Sequence, residues 1–440
     1  MNETVIGSLD PAFGSVAQEE ERIYRKVTLR IVPFLFICYL AAYLDRVNVG
    51  FAKLQMLHDL NFSETVYGLG AGIFFLGYVL FEVPSNVIML RVGARLWIAR
   101  IMITWGIISA LMVMVHSPAS FYILRFLLGV AEAGFIPGIL LYLTYWYPAR
   151  RRGKITAIFL AAIPTATIIG GPLSGAILNA VGSGAWGFAG WQWLFIIETI
   201  PSIILGVVTL TYLDGQVERA RWLTEEEKRV VMSNIGREEQ EKVGHSDLSE
   251  AFTNTRVWLL GLIYFGIASG IYIISFWLPT IIKQTGVANP LSIGLLTAIP
   301  YVVAIIAMVL VNASGDRMRE RRWHTIVPTL ACAFGLILTA WAAQNTLLAM
   351  LGLTLAAAGA SSGQASFWCI PAAFLGGAAA AAGIALVNSL GNISGFVSTF
   401  LVGWITDLAG STGSALYFFA ALVATCGLLI LTVPGRDVNK

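Results

Sequence analysis

The 440-residue chain is 57% hydrophobic and 12% charged, with a formal net charge of +3, against about 25% charged residues in soluble domains. That composition places most of the chain in a bilayer and argues against nucleic-acid binding, because the few cations form loop clusters and no basic face. His58, His116, His245 and His324 fall in loops or at span ends and form no metal or general-base pattern, so neither an enzyme nor a cofactor site is expected.

In chain order, residues 1–27 are polar and charged and show no cleavable signal, so they read as a cytoplasmic segment. A membrane-spanning helix needs about 20 mostly apolar residues. Six such stretches follow at 28–50, 66–89, 97–115, 119–145, 155–179 and 191–212. Residues 213–255 change character: Glu225, Glu226 and Glu227 precede Lys228 and Arg229, and Leu223–Gly236 reads as an amphipathic helix in a cytoplasmic linker. Six further spans are predicted at 256–280, 293–312, 325–342, 346–370, 379–405 and 413–434, before a short tail at 435–440. Helices are the default because lipid leaves no partner for backbone groups outside the segment. Cys38, Cys332, Cys369 and Cys426 all fall inside predicted spans, where free thiols are expected.

Loop charge sets the orientation. Arg22, Arg25 and Lys26 precede the first span. Arg91 and Arg95 follow the second, Arg150, Arg151, Arg152 and Lys154 the fourth, and Arg317, Arg319, Arg321 and Arg322 the eighth. The intervening loops at 116–118, 180–190 and 343–345 carry no Lys or Arg. The alternation puts both termini in the cytoplasm. The linker divides the spans six and six, the plan of transporters whose two halves are parallel repeats about an axis along the membrane normal.

Asp45 and Arg46 are adjacent inside the first span. A charged side chain at the bilayer centre costs roughly 2.5–3.5 kcal/mol on insertion scales, so two in succession point to a protein-lined aqueous pathway. Arg46 offers a planar fork that matches a carboxylate with two hydrogen bonds; the alternative is that it neutralises a neighbouring acid. Asp45 and Glu132 are candidate proton carriers, since a desolvated carboxyl can exchange a proton near neutral pH; the alternative is a fixed ion pair. Arg125 and Glu132, seven residues apart, share a face about 10 Å apart along the axis. Each is therefore free to meet the first span, and an Asp45–Arg125 pair with Glu132 deeper is expected. Tyr43 and Tyr78 are candidate hydroxyl contacts or packing residues. Asn388 and Asn392 lie at i and i+4 on one helix face, as substrate ligands or as interhelical glue; Ser366 and Trp368 are similar cases. Glu82 and Glu198 read as packing or gating groups.

The chain resembles the major facilitator superfamily, and within it the anion:cation symporter family and its bacterial tartrate-type permeases. The resemblance rests on Arg25-Lys-Val-Thr-Leu-Arg30-Ile-Val-Pro33 running into Tyr43-Leu-Asp45-Arg46-Val-Asn48-Val-Gly50, on Gly77-Tyr78 with Glu82-Val-Pro84-Ser85-Asn86, and on Arg125-Phe-Leu-Leu-Gly129-Val-Ala-Glu132-Ala-Gly134. Trp191-Gln-Trp193-Leu-Phe-Ile-Ile-Glu198 and Gly383-Ile-Ala-Leu-Val-Asn388-Ser-Leu-Gly391-Asn392 complete it. It implies a twelve-helix, all-α polytopic protein of the bacterial inner membrane, monomeric, that moves a small organic anion with protons by alternating access. It places protonation at Asp45 and Glu132, and gating at Arg91, Arg95, Asp316 and Arg317. The second half keeps Gly315, Asp316 and Arg317, whereas Leu90 precedes Arg91 where the first-half pattern has an acid. Span 5 has Pro164, Thr165 and Thr167 where sugar-acid members carry an amide. Tartrate is therefore the leading substrate, ahead of aromatic and then sugar acids. An exchanger without proton coupling and a non-transporting substrate sensor are the rival readings.

Overall fold

The computed structural model describes residues 11–182, 184–241, 252–374, 379–435 and 439. Twelve helices are long and apolar enough to cross a membrane. Spans 1–6 are Gln18–Leu60, Glu64–Val92, Ala94–Met114, Pro118–Thr144, Ala149–Val181 and Gly190–Tyr212. Spans 7–12 are Thr255–Gln284, Pro290–Met318, Arg322–Trp341, Thr346–Pro371, Gly383–Ala409 and Thr412–Thr432. The fold is the expected all-α polytopic one, two six-helix halves joined by the linker helix Glu225–Glu241. Part of the glycine-rich stretch at 376–383 lies outside the described residues.

Two boundaries differ from expectation. Span 1 belongs to one helix from Pro11 to Leu60, so the basic residues before residue 28 continue the helix instead of preceding it. The Arg150–Lys154 cluster opens a helix at Ala149, after Pro148, and does not form a loop. Ala, Arg and Lys are strong helix formers, and Pro148 cannot continue the chain upstream as helix.

Span 4 is broken at its centre, and the break places Glu132. The helix stops at Glu132 and restarts at Phe135, with Gly134 at φ 85°. A side chain there would be strained by its backbone angle and would collide with Ser85. Pro137 lacks the N–H that would bond the Ala133 carbonyl. Ser85 Oγ donates to that carbonyl at 2.7 Å and accepts from Trp97 Nε1 at 3.0 Å, so the freed group is satisfied from span 2.

The halves meet most closely between spans 2 and 11 and between spans 5 and 8, with span 1 also on span 7. The contacts cluster at the end away from the linker. Gly171 and Gly175 lie against Gly294 and Pro290, and Gly68 lies against Thr399; small residues let the backbones approach. Asp407 of span 11 accepts from the Thr65 N–H at 2.7 Å and the Glu64 N–H at 3.2 Å, filling donors that span 2 cannot satisfy itself. Lys53 is buried, reaches Glu64 at 2.5 Å, and lies 3.6 Å from the Trp277 ring of the other half. Towards the linker end, spans 2 and 8 expose Leu80, Val83, Leu90, Ile306, Leu310 and Met318.

Candidate functional site

Arg46 and Glu132 form a buried ion pair between spans 1 and 4. Arg46 Nε donates to Glu132 Oε1 at 3.1 Å, and a second guanidinium nitrogen reaches the same oxygen. The rings of Phe74, Tyr78 and Tyr43 lie 5.3, 5.4 and 5.8 Å from the guanidinium carbon. Such a pair persists in a low-dielectric site because each charge offsets the desolvation of the other, and exposing either alone is costly.

The expected Asp45–Arg125 pair does not form. Asp45 accepts from Trp105 Nε1 at 3.1 Å and Ser109 at 3.4 Å on span 3, and from Thr199 at 3.3 Å and Ser202 at 2.5 Å on span 6. Arg125 instead donates to the backbone carbonyls of Gly70 at 3.2 Å and Ala71 at 3.1 Å. Neighbouring helical residues point about 100° apart, so Arg46 facing span 4 obliges Asp45 to face the interior of its own half.

The second half presents a mostly neutral wall. Tyr272 donates to Asn392 Oδ1 at 3.1 Å, and its ring lies 4.6 Å from that of Phe75 in the first half. Asn388, one turn away, is half-buried. Ser366 is committed to Asn312 of span 8 at 3.3 Å, so it is a helix contact here. Trp368 stands edge-on to Tyr264 at 4.8 Å. The Tyr43 hydroxyl meets Ser275 at 3.5 Å, which meets Tyr301 at 3.3 Å, so span 1 touches span 7 and is linked through it to span 8. Arg91 and Arg317 are exposed and Arg95 is half-exposed, while Asp316, in the last turn of span 8, pairs with Arg321 just beyond that helix. The gating candidates are thus not brought together across the halves. Glu82 is half-buried, and Glu198 is buried beside Ser174.

Several site residues escaped the sequence reading. Gln364 donates to the Tyr264 hydroxyl at 2.9 Å; as an amide inside a span it carried the same signal as Asn388. Lys53 lay just past the predicted end of the first span, yet it is seven residues from Arg46, about two turns along one face. Tyr272, Ser275 and Trp277 carried no signal separable from packing.

Residues 35–399 match the family model of the Major Facilitator Superfamily. The chain belongs to that superfamily. It is 48% identical over 419 residues, 95% of this chain and 96% of the other, to "Putative metabolite transport protein NicT" of Pseudomonas putida. It is 49% identical over 414 residues, 94% of this chain and 91% of the other, to a "Putative tartrate transporter" of Agrobacterium vitis. A "Quinolone resistance transporter" of Acinetobacter baumannii is 41% identical, covering 96% of each chain. Among solved structures, a bacterial homolog of the human lysosomal transporter Spinster in an inward-facing, occupied conformation aligns with TM-score 0.75 at 15% identity, covering 93% of this chain and 97% of that one. The inward-open xylose transporter XylE of E. coli aligns with TM-score 0.71 at 17% identity, covering 93% and 96%. The superfamily protein described here is a multi-pass membrane transporter of small metabolites and not an enzyme.

Proposed function

We propose that this chain is a proton-coupled symporter of a small organic anion, a hydroxy-dicarboxylate such as tartrate being the leading substrate. The observation that carries the reading is the buried Arg46–Glu132 pair beside a mostly neutral second half. A substrate carboxylate competes with Glu132 for the Arg46 fork. A proton on Glu132 removes its claim on the guanidinium and lets the substrate take both hydrogen bonds. One proton per substrate carboxylate leaves the site without excess charge, so a dicarboxylate needs a second proton besides the one on Glu132; that neutral state is the condition under which the halves can rock past an apolar barrier. The two relatives named for tartrate and for metabolite transport support this class.

Tyr272, Asn392, Asn388 and Gln364 supply hydroxyl and amide groups for substrate hydroxyls, with Trp368 as an apolar wall. The alternation of basic loops sets both termini in the cytoplasm of a bacterial inner membrane. The joined end of the halves then faces the periplasm, and the described conformation is inward-facing. The chain works as a monomer in lipid. The ring cluster of Tyr43, Phe74 and Tyr78 around Arg46 favours an aromatic acid as the second reading.

The test is uptake of radiolabelled tartrate into proteoliposomes with and without an inward proton gradient. Gradient-driven accumulation abolished by a protonophore supports symport. Movement indifferent to the gradient favours an exchanger. No tartrate uptake, with uptake of an aromatic acid, selects the second reading.

A further inference from the structure

Behind the Arg46–Glu132 pair lies a second polar cluster, wholly inside the first half. Span 1 contributes Asp45 and Asn48, span 3 Trp105 and Ser109, span 5 Ser174, and span 6 Glu198, Thr199 and Ser202; each is 2% exposed or less. Asp45 and Asn48 are three residues apart and share a helix face.

The two acids of this cluster have different surroundings. Both Asp45 oxygens face donors: Trp105 and Ser202 on one, Ser109 and Thr199 on the other. An indole N–H can only donate, so Asp45 Oδ2 is an acceptor, and four donors are the set an ionised carboxylate takes. Glu198 accepts one bond from Ser174 at 2.5 Å, and its Oε2 has no hydrogen-bond partner. Neither amide atom of the buried Asn48 has a hydrogen-bond partner. Asp45 is the charged group that faces Glu198; Asn48 from span 1, Ser109 and Trp105 from span 3 and Ser174 from span 5 are neutral. No Lys, Arg or His forms an ion pair with either acid among the described residues.

Two ionised carboxylates this deep without a cation carry a prohibitive solvation cost, and such a group neutralises instead. A protonated Glu198 removes one charge and turns its unpartnered oxygen into a hydroxyl donor. We propose that Glu198 carries a transport proton, with Asp45 as the fixed negative charge that retains it. The expectation of a proton on Asp45 is thereby moved one helix away. In the release step the Glu198 O–H bond breaks, the proton passes to water to give hydronium, and the electron pair stays on the carboxylate. Reloading from water on the opposite side reverses it. This inference rests on the proton-symport reading.

The test compares wild type, Glu198→Gln and Glu198→Asp in proteoliposomes. Counterflow of labelled tartrate without a gradient tests transport alone. Accumulation under a gradient of one pH unit tests coupling, since each coupled proton is worth about tenfold in the accumulation ratio. The expected result is measurable counterflow in Glu198→Gln with an accumulation ratio about tenfold below wild type, and partial recovery in Glu198→Asp. Wild-type accumulation and an unchanged pH profile in Glu198→Gln overturn the proposal. Infrared difference spectra between acid and alkaline pH need no substrate and no variant uptake. A protonated-carboxyl band that moves to lower pH in Asp45→Asn and is lost in Glu198→Gln, or shifts in Glu198→Asp, supports it. A band lost only in Asp45→Asn overturns it. Absence of tartrate counterflow in wild type would count against the transport reading alone, because the infrared result stands without it.

Discussion

Arg46 closes on Glu132 across spans 1 and 4, while Asp45, the residue before it, points about 100° round the same helix, towards spans 3 and 6. The two adjacent charges therefore serve separate compartments. One faces the junction between the halves, and the other faces a closed polar cluster. Under the proposed proton symport, span 1 is the common backbone that connects the two.

Replacing Arg46 with lysine keeps the charge and removes the planar fork. A hydrogen bond to a charged group is worth about 1.5–3 kcal/mol, so substrate affinity in Arg46→Lys should fall roughly 10- to 100-fold. Equilibrium binding of labelled tartrate to purified protein measures this. Unchanged affinity would remove Arg46 from the substrate site.

Glu132→Gln holds the carboxyl position permanently neutral. Exchange of labelled substrate should persist, while accumulation driven by a proton gradient should drop towards equilibration. Accumulation equal to wild type would leave Glu132 as a structural partner of Arg46 only.

A methyl group added at Gly175 would lie 2.5 Å from the Pro290 carbonyl oxygen and 3.1 Å from Gly294 Cα, both backbone atoms of the opposite half. The neighbours cannot rotate away, so the joined ends must part. Overpacking of this kind costs about 1–3 kcal/mol. Gly175→Ala should therefore raise thiol-reagent labelling of a reporter cysteine at Thr297, a residue buried at the same seam, by roughly fivefold or more. Labelling at the wild-type rate would show that the contact does not hold the ends together.

Asp407 caps span 2 from the other half through the Glu64 and Thr65 backbone donors and the Thr65 hydroxyl. Loss of a helix cap costs about 0.5–2 kcal/mol. Asp407→Ala should shift the conformational balance away from the joined state by at least about twofold, read as distance distributions between spin labels on the outer ends of spans 2 and 11. No change in those distributions would assign Asp407 to local helix stability alone.

The linker helix is pinned to span 1 by Lys26 and Glu227 at 2.7 Å and by Asn234 and Tyr24 at 3.3 Å, and its own start is closed by a capping exchange between Thr224 and Glu227. Partial burial pushes the Glu227 carboxyl up, but the Lys26 ammonium and the Thr224 N–H outweigh it and hold it below the ordinary value of 4.5. A depressed carboxylate stabilises the folded contact above its ordinary value, and that contribution is lost as pH falls through the lower, folded value. Amide-exchange protection of Glu225–Glu241, corrected for intrinsic rate, should be constant from neutral pH to about pH 5 and fall below it. Glu227→Gln should start lower and lose the pH step. Protection that ignores both acid and the substitution would break this link.

The twelve spans, the division into six and six and the placing of Arg46 and Glu132 inside spans were all legible in the residues, because hydropathy and the cost of a charge in lipid are local properties of a segment. The Asp45–Arg125 pairing was not. Two arginines and two acids on neighbouring spans admit more than one pairing, and depth along a helix does not say which way a side chain turns. Gln364 was legible by the rule applied to Asn388, whereas Ser366, chosen by that rule, is spent on Asn312.

Sequence alone determined what must be buried in the bilayer, where the loops carry charge and which ionisable groups are too costly to be incidental. Those follow from composition along one segment at a time. The tertiary structure decided which charges meet, that Glu198 and Asn48 join Asp45 in a cluster with no paired cation among the described residues, and that Gly175, Asp407 and Lys53 lie where the halves join at one end. Each of those depends on the rotation of one helix about its axis against a neighbour distant in the chain, which hydropathy does not encode.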